Sequence, residues 1–180
     1  GATVGTYESE NENAKNSLKS QAVIGGDATN YILNGGFETL SGWLLSNSYV
    51  SYDLSETLPD RIKFNLPALN SSNIYQYVNI PNGEYSLSLN CSVDSITGGY
   101  IILQAQSVDD SSHSYIKQVD LGTVGANGNF DITPVLTFQA NNPYDDAEHF
   151  KISILIYAGT DNNAIAYIDD VSLQRTPSAR

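Results

Sequence analysis

Ile74-Tyr75-Gln76-Tyr77-Val78-Asn79-Ile80 runs through Pro81-Asn82-Gly83 into Glu84-Tyr85-Ser86-Leu87-Ser88-Leu89-Asn90-Cys91-Ser92-Val93. Successive side chains of a strand point to opposite faces, so alternation marks a strand with one buried side. Ile74, Gln76, Val78 and Ile80 share one parity, with Tyr75, Tyr77 and Asn79 on the other. Beyond the turn, Tyr85, Leu87, Leu89, Cys91 and Val93 alternate with Ser86, Ser88, Asn90 and Ser92. Asn-Gly accepts the positive φ of a tight hairpin, so the two runs are expected to pair as neighbours through that turn.

The same period recurs outward. Ile62, Phe64 and Leu66 alternate with Lys63 and Asn65, and Ile101, Leu103 and Ala105 with Tyr100, Ile102, Gln104 and Gln106. Further strands are expected over 113–119, 130–138, 150–157 and 164–173. Many short alternating segments with no helical stripe predict an all-β chain folded as an antiparallel β-sandwich. The predicted core is Phe37, Ile62, Phe64, Val78, Tyr85, Leu87, Leu89, Val93, Ile101, Leu103, Phe150, Ile152, Ile154, Ile156 and Val171. Residues 1–28 are rich in Glu, Asn, Ser and Lys and end at Gly25-Gly26, which predicts a linker or N-terminal extension. The sandwich is expected over 29–176, with 177–180 as a tail.

The 180 residues suffice for one domain with a sizeable core. Abundant Gly and Tyr, no Met and few charges suit a β-rich extracellular module. The net charge of −12 repels phosphate backbones and anionic bilayers, which argues against nucleic acid and membrane partners. No run approaches the ~20 apolar residues of a membrane span. Cys91 stands alone on the apolar parity, which predicts a buried small hydrophobe and excludes an internal disulfide. The chain begins with Gly, and a piece of a longer protein is expected, with that protein's other domains as partners. Two motifs flank the sandwich: Asn34-Gly35-Gly36-Phe37-Glu38 with Ser41-Gly42-Trp43 near its start, and Tyr167-Ile168-Asp169-Asp170-Val171-Ser172-Leu173 at its close. Each sets carboxylates beside an apolar run. The two are expected to meet and share one hard cation, for which carboxylate oxygens are suitable ligands.

In that order, with the central alternating stretch between them, these motifs resemble carbohydrate-binding modules of families 4, 9, 16 and 22. Those are jelly-roll sandwiches of the galactose-binding-like type. The resemblance covers roughly residues 30–175. It implies a structural calcium held by Glu38 and by Asp169 or Asp170, with backbone carbonyls completing the shell. Strand parity places Tyr167, Asp169 and Val171 on one side and Ile168 and Asp170 on the other, unless a bulge inverts it. The resemblance also implies that Trp43 is a core residue.

Sugar recognition needs aromatic faces for pyranose C–H surfaces and planar polar groups for hydroxyls. On the polar parity, Asn90, Gln104 and Gln106 are expected on adjacent strands, with Tyr77, Tyr100 and Tyr157 as aromatic surfaces. Tyr75 and Tyr115 share the out-facing parity, while Tyr49 and Tyr52 are expected to shape a cleft edge. Catalysis lacks a signature: there is no Gly-x-Ser-x-Gly elbow. His113 and His149 fall in polar, loop-like segments, and Asp145, Asp146 and Glu148 read as a solvated acidic loop. The expected function is a non-catalytic module binding a soluble oligosaccharide or polysaccharide chain, with a structural calcium, in a secreted, cell-surface or phage-tail protein. A structural or adhesive spacer of the same fold is the alternative.

Overall fold

The structure, a computed structural model, describes residues 29–53, 60–124, 130–160 and 163–177. The predicted linker over 1–28 lies outside the described residues. The sandwich forms one compact unit, Asn30–Gln174.

Among the described residues, eleven strands and one helical turn follow one another: β1 Leu44–Leu45, β2 Val50–Tyr52, β3 Ile62–Leu66, β4 Ser71–Pro81, β5 Gly83–Ser95, β6 Tyr100–Ser107, β7 Ser114–Asp120, α1 Leu121–Val124, β8 Phe130–Ile132, β9 Val135–Ala140, β10 Ala147–Tyr157 and β11 Ala164–Arg175. They form two sheets. The first runs β1-β4-β10-β6-β7; the second runs β2-β3-β11-β5-β8, with β9 also on β5. The expected segment 130–138 is two strands, broken at Thr133-Pro134, because proline has no N–H for the ladder. The expected β4–β5 hairpin is not one. β4 pairs with β1 and β10, so Pro81-Asn82-Gly83 carries the chain from one sheet to the other.

Every predicted core residue is buried between the sheets. Trp43 is also buried, its ring centroid 5.6 Å from that of Phe37 and its Nε1–H donating to the Asn34 carbonyl at 3.0 Å. Cys91 is fully buried, and burial pushes its thiol up to about 12. The inward Gln76 is a polar exception. It accepts from Leu33 N–H at 2.9 Å and donates to the carbonyls of Leu33 and Gly42 at 3.0 and 3.2 Å, clamping the opening segment onto β4.

The opening segment also joins the closing strand. Tyr31 N–H donates to the Leu173 carbonyl and Val171 N–H to the Gly35 carbonyl, both at 2.9 Å. Asn30 Oδ1 accepts from Leu173 N–H at 2.9 Å. β11 changes phase here: Ala164, Ala166 and Ile168 face inward, and so do Val171 and Leu173. The extra residue is a bulge at Asp169-Asp170, where Asp170 adopts φ +52. Simple parity is thereby corrected: Ile168 and Val171 both belong to the core, while Asp169 and Asp170 both lie on the outer side.

Candidate functional site

The outer face of the first sheet is built by register. One row across β4, β10, β6 and β7 carries Tyr77, Lys151, Gln106 and Ser114; the next carries Tyr75, Ser153, Gln104 and Ile116. Asn73, Leu155, Ile102 and Gln118 form the third row, and Ser71, Tyr157, Tyr100 and Asp120 the fourth. Five of the six expected ligand residues therefore share this face. From Lys151 to Tyr157, β10 covers about 20 Å at ~3.3 Å per residue.

Aromatic rings stand towards both ends of this face. Tyr77 is 51% exposed and meets Tyr75 edge-on at 6.1 Å between centroids, with the His149 ring 6.0 Å away on its other side. Lys151 Nζ lies 4.3 Å from the Tyr75 centroid. At the far end, on the central strands β6 and β10, Tyr100 and Tyr157 pack against each other at 5.0 Å. Gln104 donates to Ser114 Oγ at 3.4 Å, and Gln106 to the carbonyls of Ser107 and Ser111 at 3.3 Å. These distances are at the long end for hydrogen bonds, so both amides can exchange partners for a ligand hydroxyl. Stacking surfaces towards both ends of the face, with the β6 amides alongside, can hold a chain of hydroxylated rings.

Asn90 departs from the expectation. It lies on β5 in the second sheet, away from Gln104 and Gln106, and its Nδ2–H donates to Asp170 Oδ2 at 2.8 Å. One other tyrosine also differs. Tyr115 points inward onto Phe138, with centroids 5.7 Å apart. Tyr52 packs on Phe37 and donates to the Ser41 carbonyl. Tyr49 is half-buried against the core. His149 belongs to strand β10 and not to a loop.

The second sheet carries a cavity of about 610 Å³ on its outer side, lined by Asp60, Arg61, Asn90, Ser92, Asp131, Thr133, Tyr167, Asp169 and Asp170 among others. Nothing in the alternation pattern points to it, because it forms where the β11 bulge meets β3, β5 and β8. Arg61 covers the Tyr167 ring at 3.7 Å and pairs with Asp53 at 2.7 Å, so that ring face and that charge are both engaged. Burial pushes the Asp169 carboxyl up to about 6, and the charges of Asp170, Asp60 and Glu38 add to this, opposed by the Asp170 N–H. Glu38, from the opening segment, has the smallest of these charge effects on Asp169 and is not among the residues lining the cavity. Asp170 is already bound by Asn90. Among the described residues, no group of three or more acidic, imidazole or thiol side chains converges as a metal site. The oxygen donors of Glu38 and Asp169 suit calcium, and backbone carbonyls would have to complete any shell.

No family model matches the sequence, and no curated protein matches it. Solved structures do. A family 61 carbohydrate-binding module in complex with β-1,4-galactotriose is 18% identical; the match covers 83% of this chain and 100% of that one, with TM-score 0.61. A family 4 module is 15% identical, covering 81% and 99%, with TM-score 0.52. A cyclase from Fischerella sp. TAU, in complex with 4-(1H-indol-3-yl)butan-2-one, is 16% identical, covering 85% and 100%, with TM-score 0.58. At these identities the likeness is one of fold: this chain has the β-sandwich fold found in carbohydrate-binding modules, and that fold also serves an enzyme.

Proposed function

We propose that this chain is a non-catalytic glycan-binding module whose ligand lies across the outer face of the first sheet. The observation that carries the reading is the register placing Tyr77, Gln106, Gln104, Tyr157 and Tyr100 on one continuous face, with aromatic rings towards both ends and the amides on β6 alongside. That order suits a single soluble chain of several sugar rings. The fold's recurrence in glycan-binding modules is in keeping with it. On this reading the chain serves a larger secreted, cell-surface or virion-associated protein.

A structural calcium belongs to the same proposal. Asp169 is its better ligand of the terminal pair, because Asp170 is engaged by Asn90 and because Glu38 acts on Asp169. The cation would remove the repulsion between the two carboxylates and join the two ends of the sandwich.

One observation favours the spacer alternative: Tyr100 and Tyr157 already pack on each other, and Tyr75 already carries Lys151. An array of immobilised oligosaccharides separates the two readings. Saturable binding, weakened about tenfold or more by Tyr77→Ala or Gln104→Ala with an unchanged melting temperature, is the expected result. A flat response across the array would leave the spacer. Turnover of any arrayed glycan would replace both with an enzyme.

A further inference from the structure

Twenty acidic side chains against eight lysines and arginines give this chain its net charge of −12. The outer face of the first sheet does not share that balance. Across the four rows that the register places there, Lys151 is the one cation and Asp120 the one carboxylate. Lys151 stands on β10, the third of the five strands, with Tyr77 and Gln106 as its direct cross-strand partners. Asp120 stands on β7 in the row of Tyr157, about 20 Å along the sheet from the row of Lys151. That exceeds the ~8 Å over which physiological salt screens exposed charges. Asp120 is also committed locally, its Oδ1 accepting from the Gly122 N–H at 3.0 Å.

The Lys151 amine is held without being neutralised. Its Nζ lies 4.3 Å from the Tyr75 centroid, and among the described residues no carboxylate pairs with it. Asp109 reaches β10 two residues earlier, where its Oδ2 accepts from the His149 N–H at 2.8 Å, and it forms no ion pair with Lys151. A cation on an aromatic face keeps its charge, while the contact restrains a long side chain whose ordering would otherwise oppose binding. The ring supplies no oxygen acceptor, so the three N–H donors of the ammonium remain available to an anionic group.

Neighbouring strands lie about 4.8 Å apart, so Tyr77, Lys151 and Gln106 span about 10 Å across their row. A sugar ring against the exposed Tyr77 therefore has an ammonium beside it and an amide next beyond. We propose that the glycan bound on this face carries an acidic sugar, and that Lys151 pairs with its carboxylate or sulfate group. The inference rests on the glycan reading above and adds to it the charge of the ligand. The net charge of the whole chain sets the opposite limit: a densely charged polyanion would be repelled, so the ligand carries isolated acidic sugars among neutral ones.

The test uses the full chain on an array of matched oligosaccharides: neutral β-1,4-galactotriose, the same trisaccharide with one primary hydroxyl oxidised to a carboxylate, and the same with one sulfated. Wild type is expected to bind at least one acidic member about tenfold more tightly than the neutral one, and which member it prefers identifies the anionic group. Salt that shortens the screening length from about 30 to about 3 Å should erode that preference. Lys151→Gln is expected to abolish it with an unchanged melting temperature, and Lys151→Arg, which keeps the charge, to retain it. Equal or weaker wild-type binding of both acidic members overturns this inference alone, as does a preference that survives Lys151→Gln. Absence of wild-type binding to every member here and across the wider array overturns the glycan reading, and this inference with it.

Discussion

Glu148 sets a carboxylate where no water reaches it, and such a group persists only when its oxygens are paired. His113 and the Asn141 N–H supply the partners. The hydrogen bond to Glu148 holds the His113 pKa above the ordinary imidazole value; the charges of Glu148 and Asp110 act in the same direction, and burial opposes them. A group whose folded pKa is raised stabilises the fold fully below its unfolded pKa and loses that contribution as pH rises through the folded value. The melting temperature is therefore expected to fall as pH climbs from about 6.5 through the raised pKa. Proton NMR of the His113 ring should show a midpoint above that of an unhindered histidine, and Glu148→Gln should bring it down. An ordinary midpoint in the wild type would remove the charged pair from the account. The burial of Glu148 was legible in part: the inward parity of Phe150, Ile152 and Ile154, carried two steps back, reaches position 148. The acidic run Asp145-Asp146 obscured it by making the segment read as loop, whereas β10 begins at Ala147.

Among the elements, the strand periods are local and were readable, while the assignment of strands to sheets is not local and was not. Asn90 has the right parity for an outer face but belongs to the other sheet from Gln104, since β5 pairs with β8, β9 and β11 and not with β6. The tight turn misled for the same reason, because Asn-Gly permits a hairpin without requiring that its flanking strands pair. The bulge in β11 is a further case, as an inserted residue leaves no mark on composition and moves every later side chain to the opposite face. Lys117 on the edge strand β7 shows how such a boundary is protected. It sits opposite the inward Leu103 yet is exposed, and a charge there discourages pairing with another chain. The coupling between the opening segment and β11 gives a sharp element-scale prediction. A Cβ on Gly35 would overlap the Val171 carbonyl oxygen, whereas one on Gly36 meets nothing nearer than the Glu38 side chain at 3.8 Å. Gly→Ala at a compatible site usually stabilises by about 0.4–1 kcal/mol through the unfolded chain. At Gly35 the sign should reverse, to a loss of about 1–3 kcal/mol, because the segment must leave its register on β11. Gly36→Ala should stay within about 0.5 kcal/mol of wild type. Urea unfolding of the two variants measures both, and equal midpoints would mean that this seam does not hold the fold.

At the scale of the molecule, the two ends of the sandwich come together at the seam that a calcium ion would join. Loop-closure entropy grows with the length of chain enclosed, and a link between Glu38 and Asp169 encloses most of the sandwich. Without a cation the same geometry is unfavourable, since Asp169 is partly buried among the charges of Asp170, Asp60 and Glu38. This makes the effect of one substitution depend on the ion. In excess chelator, Asp169→Asn should melt above wild type, because it removes a repelled charge and no ligand is lost. In calcium the order should invert, because the variant forfeits the ion. Calcium at a hundred times its Kd would stabilise the wild type by about 2.7 kcal/mol, raising the melting temperature by about 5–10 °C for a domain of this size. Asp170→Asn should keep most of that increment, since its carboxylate is held by Asn90 and not by the seam. Scanning calorimetry of the three proteins with and without calcium reads all of these outcomes. If wild type and Asp169→Asn keep the same order in both buffers, no cation joins the two carboxylates. The seam is then held by the backbone bonds from Tyr31 to Leu173 and from Val171 to Gly35.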